Sequence, residues 1–296
     1  MIMKNPITTL SYNTFTPNVT HEENLSIAQH LESGGVLFLP NLAFTLQPTE
    51  TRFLSTDWSD GKSKNIYLRG NERTLRGAIG NEAEQDEIKL MIERYASGAN
   101  QLVSRLFPAY MPYAAPANTT LRCFEAAGRK SSWRKDDRRL HPDAFPSKPT
   151  HGERILRVFT NINAEHKPRT WKVGEPFADM ASKFLPKTPP YRAWQAQLLN
   201  KLGVTKTLRG EYDHIMLHLH DQVKADLDYQ KNAPQLTVDF PAGSTWIVYS
   251  DQVLHAVLAG RCMMEQTFHV PQDKLYSPQT SPLKQLEKLL GRTLKV

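Results

Sequence analysis

The stretch GSTWIVYSDQVLH, residues 243–255, contains a glycine turn, an apolar run, a polar corner and a histidine that opens a second apolar run. Strand-like segments flank it at 235–240 and 263–270, and proline and glycine residues mark the turns between them. Short strands in direct succession usually pair as antiparallel neighbours. The stretch therefore predicts a β-rich C-terminal region in which His255 begins a strand that runs to Leu258.

Three further strand-like runs lie upstream, at 119–125, 155–162 and 169–173. Three segments with helical periodicity separate these runs from the last four strands. The helical segments are 177–184, 191–202 and 211–229. The chain has no βαβ alternation and no glycine-rich phosphate loop. We therefore predict an α+β fold in which the strands form one barrel-like sandwich and the helices pack outside it.

The N-terminal third has mainly helical character. Helical spacing predicts helices at 22–33 and 82–107, and a short apolar run at 36–39 predicts a strand between them. Residues 51–76 are polar and are expected to be irregular. The predicted single domain has an N-terminal helical part at about 1–110, a β-core at about 111–275 with a helical insert at about 177–230, and a C-terminal helix at 281–295.

Composition narrows the class of protein. The 296 residues carry a formal net charge of +7, which favours an anionic partner such as nucleic acid, an anionic membrane surface or an acidic small molecule. The two cysteines, Cys123 and Cys262, form no C-x-x-C pair, as expected for a reducing compartment. The N-terminal residues lack the apolar core of a signal peptide, and no apolar run is long enough to span a bilayer. We expect a bacterial cytoplasmic protein with at most peripheral membrane contact.

The motif His141-Pro142-Asp143 is the main candidate for chemistry. In an extended segment, residues two apart point to the same side, so this imidazole and carboxylate can reach one metal ion. A second histidine from a distant strand completes the 2-His-1-carboxylate set of non-haem Fe(II) oxygenases, which leaves positions open for co-substrate and O2. His255, separated from Asp143 by 111 residues, is the predicted third ligand.

Other histidines compete with this assignment. His214 and His218 have the i, i+4 spacing of zinc sites, but no glutamate follows His214 as the H-E-x-x-H motif requires. His220 lies on the same predicted helix, and structural or substrate contacts are the favoured role for all three. His151-Gly152-Glu153 is an alternative pair in a turn, and His269 is expected to be a packed or surface histidine.

The segment around His255 resembles the distal-histidine segment of 2-oxoglutarate oxygenases with the double-stranded β-helix (jelly-roll, cupin-like) fold. Longer strings resemble the bacterial Kdo 3-hydroxylases over most of the chain. They are GGVLFLP (34–40), SSWRKDDRRLHPDAFPSKPTHGERILRVFTNIN (131–163), RTWKVGEPF (169–177), SDQVLHAVLAGRCMMEQTFHVP (250–271) and SPLKQLEKLLGR (281–292).

The resemblance implies an Fe(II)- and 2-oxoglutarate-dependent dioxygenase. Its substrates are expected to be O2 and a Kdo-bearing lipid A precursor at the cytoplasmic face of the inner membrane. The sugar is hydroxylated at C3 to give Ko, with release of succinate and CO2. The alternatives are an oxygenase of the same fold with another substrate, and a basic cupin-like glycolipid-binding protein. Nucleic acid is not expected as a partner, because no helix-turn-helix or RNP motif is present.

The far carboxylate of 2-oxoglutarate needs a cation when it is buried. Many such enzymes place an arginine about eleven residues after the distal histidine, but this chain has Gln266 there. Arg157 is the first candidate to replace it, followed by Arg154 and Arg122. Polar residues of the same strand region, predicted to contact the keto acid or the substrate, are Asn161 and Asn163.

A charged loop leads directly into the HPD motif and is the predicted contact for the anionic sugar. Arginine side chains bind carboxylate and phosphate at two points, and tryptophan stacks on sugar faces. The loop residues are Arg129, Lys130, Trp133, Arg134, Lys135, Arg138 and Arg139. The leucines of the C-terminal helix are predicted either to lie on an anionic bilayer or to pack on the domain.

Overall fold

The computed structural model describes residues 5–128 and 131–296. The strands are β1 (Ile7–Thr9), β2 (Val36–Leu39), β3 (Ile66–Arg69), β4 (Thr74–Arg76), β5 (Ala115–Arg122), β6 (Arg154–Asn161), β7 (Arg169–Gly174), β8 (Gln235–Phe240), β9 (Thr245–Tyr249), β10 (His255–Ala259) and β11 (Met263–Val270). The helices are α1 (His21–Glu32), α2 (Glu82–Leu106), α3 (Phe177–Phe184), α4 (Ala193–Lys201), α5 (Glu211–Ala225), α6 (Leu227–Asn232) and α7 (Pro282–Leu290).

The strands form two sheets that face each other. The larger sheet has the order β1-β2-β9-β6-β11-β5-β3-β4, and the smaller has the order β10-β7-β8. Aromatic residues from both sheets meet between them, where Trp171 of β7 contacts Phe159 of β6 and Trp246 of β9 edge to face. This two-layered arrangement of mostly antiparallel strands confirms the predicted α+β fold with a double-stranded β-helix core.

Strand alternation gives the large sheet two different faces. Leu156 and Val158 of β6 and Met264 of β11 point away from the small sheet and belong to the core that α2 covers. Asn81 caps the start of α2. Its side chain accepts a hydrogen bond from the backbone N–H of Glu84, which has no acceptor within the helix. The alternate positions of β6 and β11 face inward, towards the small sheet. They carry the charged residues described below.

Several segments differ from the prediction. β1 is an unpredicted strand in the part predicted to be helical, and the strand predicted at 119–125 is β5, Ala115–Arg122. Residues 51–76, which were expected to be irregular, contain β3 and β4. Their signal in the sequence is weak, because Ile66 and Leu68 alternate with polar residues over only a few positions of a polar segment. The helix predicted at 211–229 is divided at Asp226, whose side chain caps α6. The C-terminal helix ends before Gly291, which adopts a φ of 67°. Among the described residues, no helix combines the length and hydropathy that a bilayer crossing requires.

Candidate metal centre

His141, Asp143 and His255 converge at one end of the sandwich. One potential ligand atom from each lies within 4.8 Å of the other two. Paired backbone hydrogen bonds bring them together: His141 N donates to His255 O over 3.1 Å, and His255 N donates to His141 O over 3.0 Å. Asp143 N donates to Ser250 O over 2.7 Å and fixes the carboxylate beside the two rings. The structure thus unites the three residues that the sequence pattern selects.

Both histidines are held in the tautomer that a metal ligand needs. Nδ1 of His141 lies 2.6 Å from Arg139 O, and Nδ1 of His255 lies 2.9 Å from Val253 O. A carbonyl oxygen only accepts, so Nδ1 carries the hydrogen and Nε2 keeps its lone pair. Burial lowers the pKa of both rings, and the neighbouring His255 lowers that of His141 further. Neutral imidazoles with oriented Nε2 atoms fit a metal ion.

Asp143 supplies the anionic donor. Burial alone would raise the pKa of its carboxyl, but the Arg157 guanidinium holds that pKa well below its usual range. Nη2 of Arg157 lies 2.9 Å from Oδ2 of Asp143, in a geometry that leaves this oxygen without a hydrogen bond among the described residues. Two imidazole nitrogens and one carboxylate oxygen form the donor set of non-haem Fe(II) sites, so these residues fit that metal.

A group of buried cations lies beside the three candidate ligands. Arg157 also pairs with Glu265 over 2.7 Å, and Arg122 forms a second ion pair with the same carboxylate. Arg169 belongs to this group, because its guanidinium interacts electrostatically with the guanidinium of Arg122 and the carboxylate of Glu265, while its Nη1 donates to Gly260 O. The Nε atoms of all three arginines, and Nε1 of Trp171, are buried without hydrogen-bond partners among the described residues. Unpaired buried donors of this kind predict a site for an anion.

Four predicted co-substrate residues are engaged by the fold instead. Arg154 is three residues from Arg157, so strand alternation points it to the opposite face, where it pairs with Asp251 over 2.7 Å. Gln266 is likewise turned away from Glu265 and accepts a hydrogen bond from Thr119. The other two bond to the backbone: Asn161 Nδ2 donates to Lys167 O and Phe240 O, and Asn163 Oδ1 accepts from Glu165 N. Of the predicted residues, Arg157 and Arg122 lie in the cationic group.

Sequence reasoning missed Arg169, Trp171 and Glu265. Trp171 stacks on the ring of His255 at a centroid distance of 5.2 Å. The available signal was the alternation in 169–173, which places Arg169 and Trp171 on one strand face, and a glutamate within the apolar run 263–270. Counting eleven residues from His255 selected the neighbour of Glu265, which points the other way.

The competing histidines stay outside the metal cluster found among the described residues. The rings of His214 and His218 contact each other in a tilted arrangement at 4.5 Å between centroids, and His151 lies in a turn next to Thr207. His269 is buried against Lys148, as predicted for a packed histidine. His220 is the exception, because its ring lies 5.3 Å from that of His141 while its Nδ1 bonds to Asp221.

The charged loop approaches the same centre. Arg134 pairs with Asp221 of α5 over 3.0 Å and lies over the ring of Trp133. Arg138 pairs with Asp136, and Arg139 donates to Lys224 O over 2.7 Å, so part of the predicted contact surface is used within the protein. Lys135 is exposed. Two residues of this loop prediction, Arg129 and Lys130, lie outside the described residues.

Comparison with known proteins places these features in context. A family profile described as 3-deoxy-D-manno-oct-2-ulosonic acid (Kdo) hydroxylase matches residues 14–293. The crystal structure of the Kdo hydroxylase KdoO with alphaketoglutarate and Fe(III) is 45% identical, with a TM-score of 0.94 over 98% of this chain and 97% of that chain. The cobalt(II) complex of KdoO is 46% identical, with a TM-score of 0.95 over the same shares. The comparison with curated proteins gave no significant match.

Proposed function

The chain belongs to the Kdo hydroxylase family, and from this premise we propose that it hydroxylates C3 of Kdo on a lipid A precursor, with His141, Asp143 and His255 holding the iron. It is a non-haem Fe(II)/2-oxoglutarate-dependent dioxygenase, and Kdo hydroxylation is its family's function. The resemblance seen in the sequence is thereby confirmed. The convergence of three ligand atoms within 4.8 Å supports the iron assignment.

When bound, Fe(II) and 2-oxoglutarate would supply the oxidising chemistry: the co-substrate would be split to CO2 and succinate, which takes up one oxygen atom of O2, and the other oxygen atom would enter the sugar. The residues of the chain orient and shield this reaction. Arg139 O and Val253 O hold the two imidazoles, and Arg157 holds the carboxylate of Asp143. The buried position of the cluster excludes bulk water from the reacting atoms.

The cationic group is the proposed site for 2-oxoglutarate. Arg157 is shared between Asp143 and Glu265, so its main task is to fix the carboxylate ligand. Arg122 and Arg169 pair with fewer groups and keep buried Nε–H donors free, as does Trp171. We assign the far carboxylate of the co-substrate to these donors, and to Arg122 first, because its side chain is 18% exposed and accessible to a ligand.

Replacing Arg122 by methionine is expected to raise the KM for 2-oxoglutarate roughly 10- to 100-fold, the cost of losing a hydrogen-bonded charge partner. The fold should survive, because Arg157 still neutralises Glu265. Initial rates of succinate formation at varied 2-oxoglutarate measure the effect. Arg261→Met is the control, since that arginine pairs with Glu165 at an exposed site. An unchanged KM in Arg122→Met and a raised KM in Arg154→Met would transfer the role to Arg154.

The sugar acid is proposed to bind on the His141 side of the cluster. Lys224 is 1% exposed there and its ammonium pKa is lowered by burial, with partial compensation from Asp137 and Asp143. Lys64 pairs with Asp137 over 2.6 Å. Together with Trp133, Arg134 and Lys135, these groups offer positive charge and a stacking surface to a substrate that carries a carboxylate and, on lipid A, phosphates.

The test of the proposed function is product analysis. Purified protein with Fe(II), 2-oxoglutarate and O2 is incubated with Kdo-lipid A dispersed in detergent. We expect the Kdo moiety to gain one oxygen atom in the mass spectrum, fragmentation to place it at C3, and succinate to form in equal amount. Oxygen gain on free Kdo alone would remove the lipid A precursor from the proposal, and oxygen gain at another carbon would remove C3.

We also propose that the protein works at the cytoplasmic face of the inner membrane, where such a lipid-linked precursor is accessible. The C-terminal helix contributes little to membrane contact, since Leu283 and Leu286 are buried against the domain and only Leu289 is clearly exposed. Of the two alternatives predicted for these leucines, the structure favours packing. A membrane-facing surface has to be sought elsewhere.

A further inference from the structure

The helical insert presents a concentration of exposed apolar side chains. Twelve large hydrophobic residues are exposed in the described part of the chain, and five of them lie within fifteen residues of α4 and the loop after it. These five, which we name the α4 patch, are Trp194, Leu198, Leu202, Val204 and Leu208, with exposures of 47–67%. Clusters of this kind mark interaction sites more often than scattered exposed residues do.

Helix geometry explains why part of the patch faces solvent. Trp194 and Leu198 are four residues apart and lie on one face of α4, and Leu202 continues that face beyond the last turn. The opposite face carries Ala196, the buried residue that packs α4 on the protein. Burying Trp194 and Leu198 would require the helix to rotate about its axis and expose Ala196. Their exposure therefore follows from the orientation of α4 in the fold.

The same segment is strongly basic. Residues 180–210 contain no aspartate or glutamate and six lysines or arginines, nearly the whole net charge of +7. Lys183 is one of these six, and it pairs with Glu175, which lies outside the range. Lys187, Arg192, Lys201 and Lys206 are exposed. An apolar face bordered by cations is the composition of surfaces that lie in the interface of anionic bilayers.

The base of the segment is fixed to the chain that leaves the metal centre. Lys206 N donates to Ser147 O over 2.9 Å, and Arg209 Nη2 donates to Pro146 O over 2.5 Å. Tyr191 supports this base by donating to Arg209 O over 2.9 Å. Ser147 lies only four residues after Asp143, so the patch is mounted on the segment that carries an iron ligand. The α4 patch therefore keeps a fixed position relative to the proposed metal site.

We propose that the α4 patch docks the protein on an anionic phospholipid bilayer, with Trp194 and the apolar side chains in the interfacial layer and the basic residues at the headgroups. The inference deepens the proposed function and rests on it in one respect, namely that the substrate is lipid-linked. Charge complementarity selects the bilayer over a second copy of this chain, because two such surfaces of the same sign repel each other.

Vesicle flotation tests the proposal with the full-length protein. The probes are vesicles of phosphatidylcholine alone and of phosphatidylcholine with phosphatidylglycerol. The wild type should float with the anionic vesicles, and Leu198→Ser/Leu202→Ser should partition roughly tenfold less. Lys201→Gln/Lys206→Gln should partition roughly twentyfold less, and the loss should disappear at high salt, where the wild type also weakens.

The matched control is Leu227→Ser. Leu227 is 67% exposed, as Leu202 is, but it stands between Asp226 and Asp228. This variant should float like the wild type. The single change Leu202→Ser is measured beside it, so that loss of one equally exposed leucine is compared between a basic and an acidic surface, and circular dichroism checks that each variant is folded.

Turnover separates this inference from the proposed function. Patch variants should hydroxylate detergent-dispersed Kdo-lipid A at the wild-type rate and lose rate only with the same lipid in vesicles. Absence of hydroxylation in both formats would count against the proposed function, while flotation would still report on the patch. Equal flotation of the patch variants and the wild type would overturn the inference. A wild-type dimer that the Leu198→Ser/Leu202→Ser change converts to monomer would also overturn it.

Discussion

Replacement of His255 by alanine is expected to abolish stoichiometric metal binding and to reduce turnover by more than about a thousandfold, well beyond the cost of losing an outer-shell partner. His141 and Asp143 remain, but two donors hold a divalent ion far more weakly than three. Metal content after anaerobic loading with Fe(II), and a Co(II) titration followed by visible absorption, report on the site without reference to activity. The expected result is loss of the saturable Co(II) signal.

His214→Ala is the matched control for this experiment. His214 is partly buried on α5 and bonds to Pro189 O, away from the metal cluster. It should keep one metal ion per chain. If His255→Ala still binds one ion with unchanged affinity, another residue supplies the third donor and the iron assignment fails.

Arg157→Met is expected to lower the free energy of unfolding by about 3–5 kcal/mol, because a buried pair broken on one side leaves uncompensated charge. Two carboxylates depend on this guanidinium, those of Asp143 and Glu265. Urea denaturation of the metal-free protein measures the loss. Asp143→Asn in the same chain should recover part of it, because the carboxylate left without a cation is then removed, whereas Glu265 keeps its pair with Arg122.

An exposed arginine provides the comparison. Arg52 pairs with Glu87 over 3.0 Å, but both side chains are more than 40% exposed, so Arg52→Met should cost no more than about 1 kcal/mol. Similar losses for the two variants would mean that burial does not strengthen the Arg157 pairs. The account of Arg157 as the clamp on Asp143 would then be wrong.

The three proposed iron ligands could be selected from the sequence because each signal is local and because two residue types, histidine and aspartate, suffice. The HPD motif needs only an extended backbone, and His255 needs only a strand start after a polar corner. The cations beside them were harder to place. Arg154 and Arg157 have the same side-chain chemistry. Which of the two lies beside the proposed ligands depends on which face of β6 packs against the small sheet. Sequence pattern alone does not fix that when both faces are apolar.

Gln266 illustrates the same limit. A count of eleven residues from His255 crosses the turn between β10, which ends at Ala259, and β11, which begins at Met263, and the length of that turn decides which residues of β11 face inward. One position therefore decides whether a side chain faces the ligands or the helices. The N-terminal strands β3 and β4 were missed for a different reason. They are three or four residues long, and their stability comes from pairing, of β4 with β3 and of β3 with β5, rather than from local pattern.

The backbone bridge between His141 and His255 has a consequence for biosynthesis. The third proposed donor is separated from Asp143 by 111 residues, and the reciprocal hydrogen bonds form only once β10 reaches the HPD segment. With the proposed ligands, a growing polypeptide on the ribosome lacks the complete donor set for iron until the insert and the late strands have emerged. We therefore expect metal loading to follow the completion of synthesis.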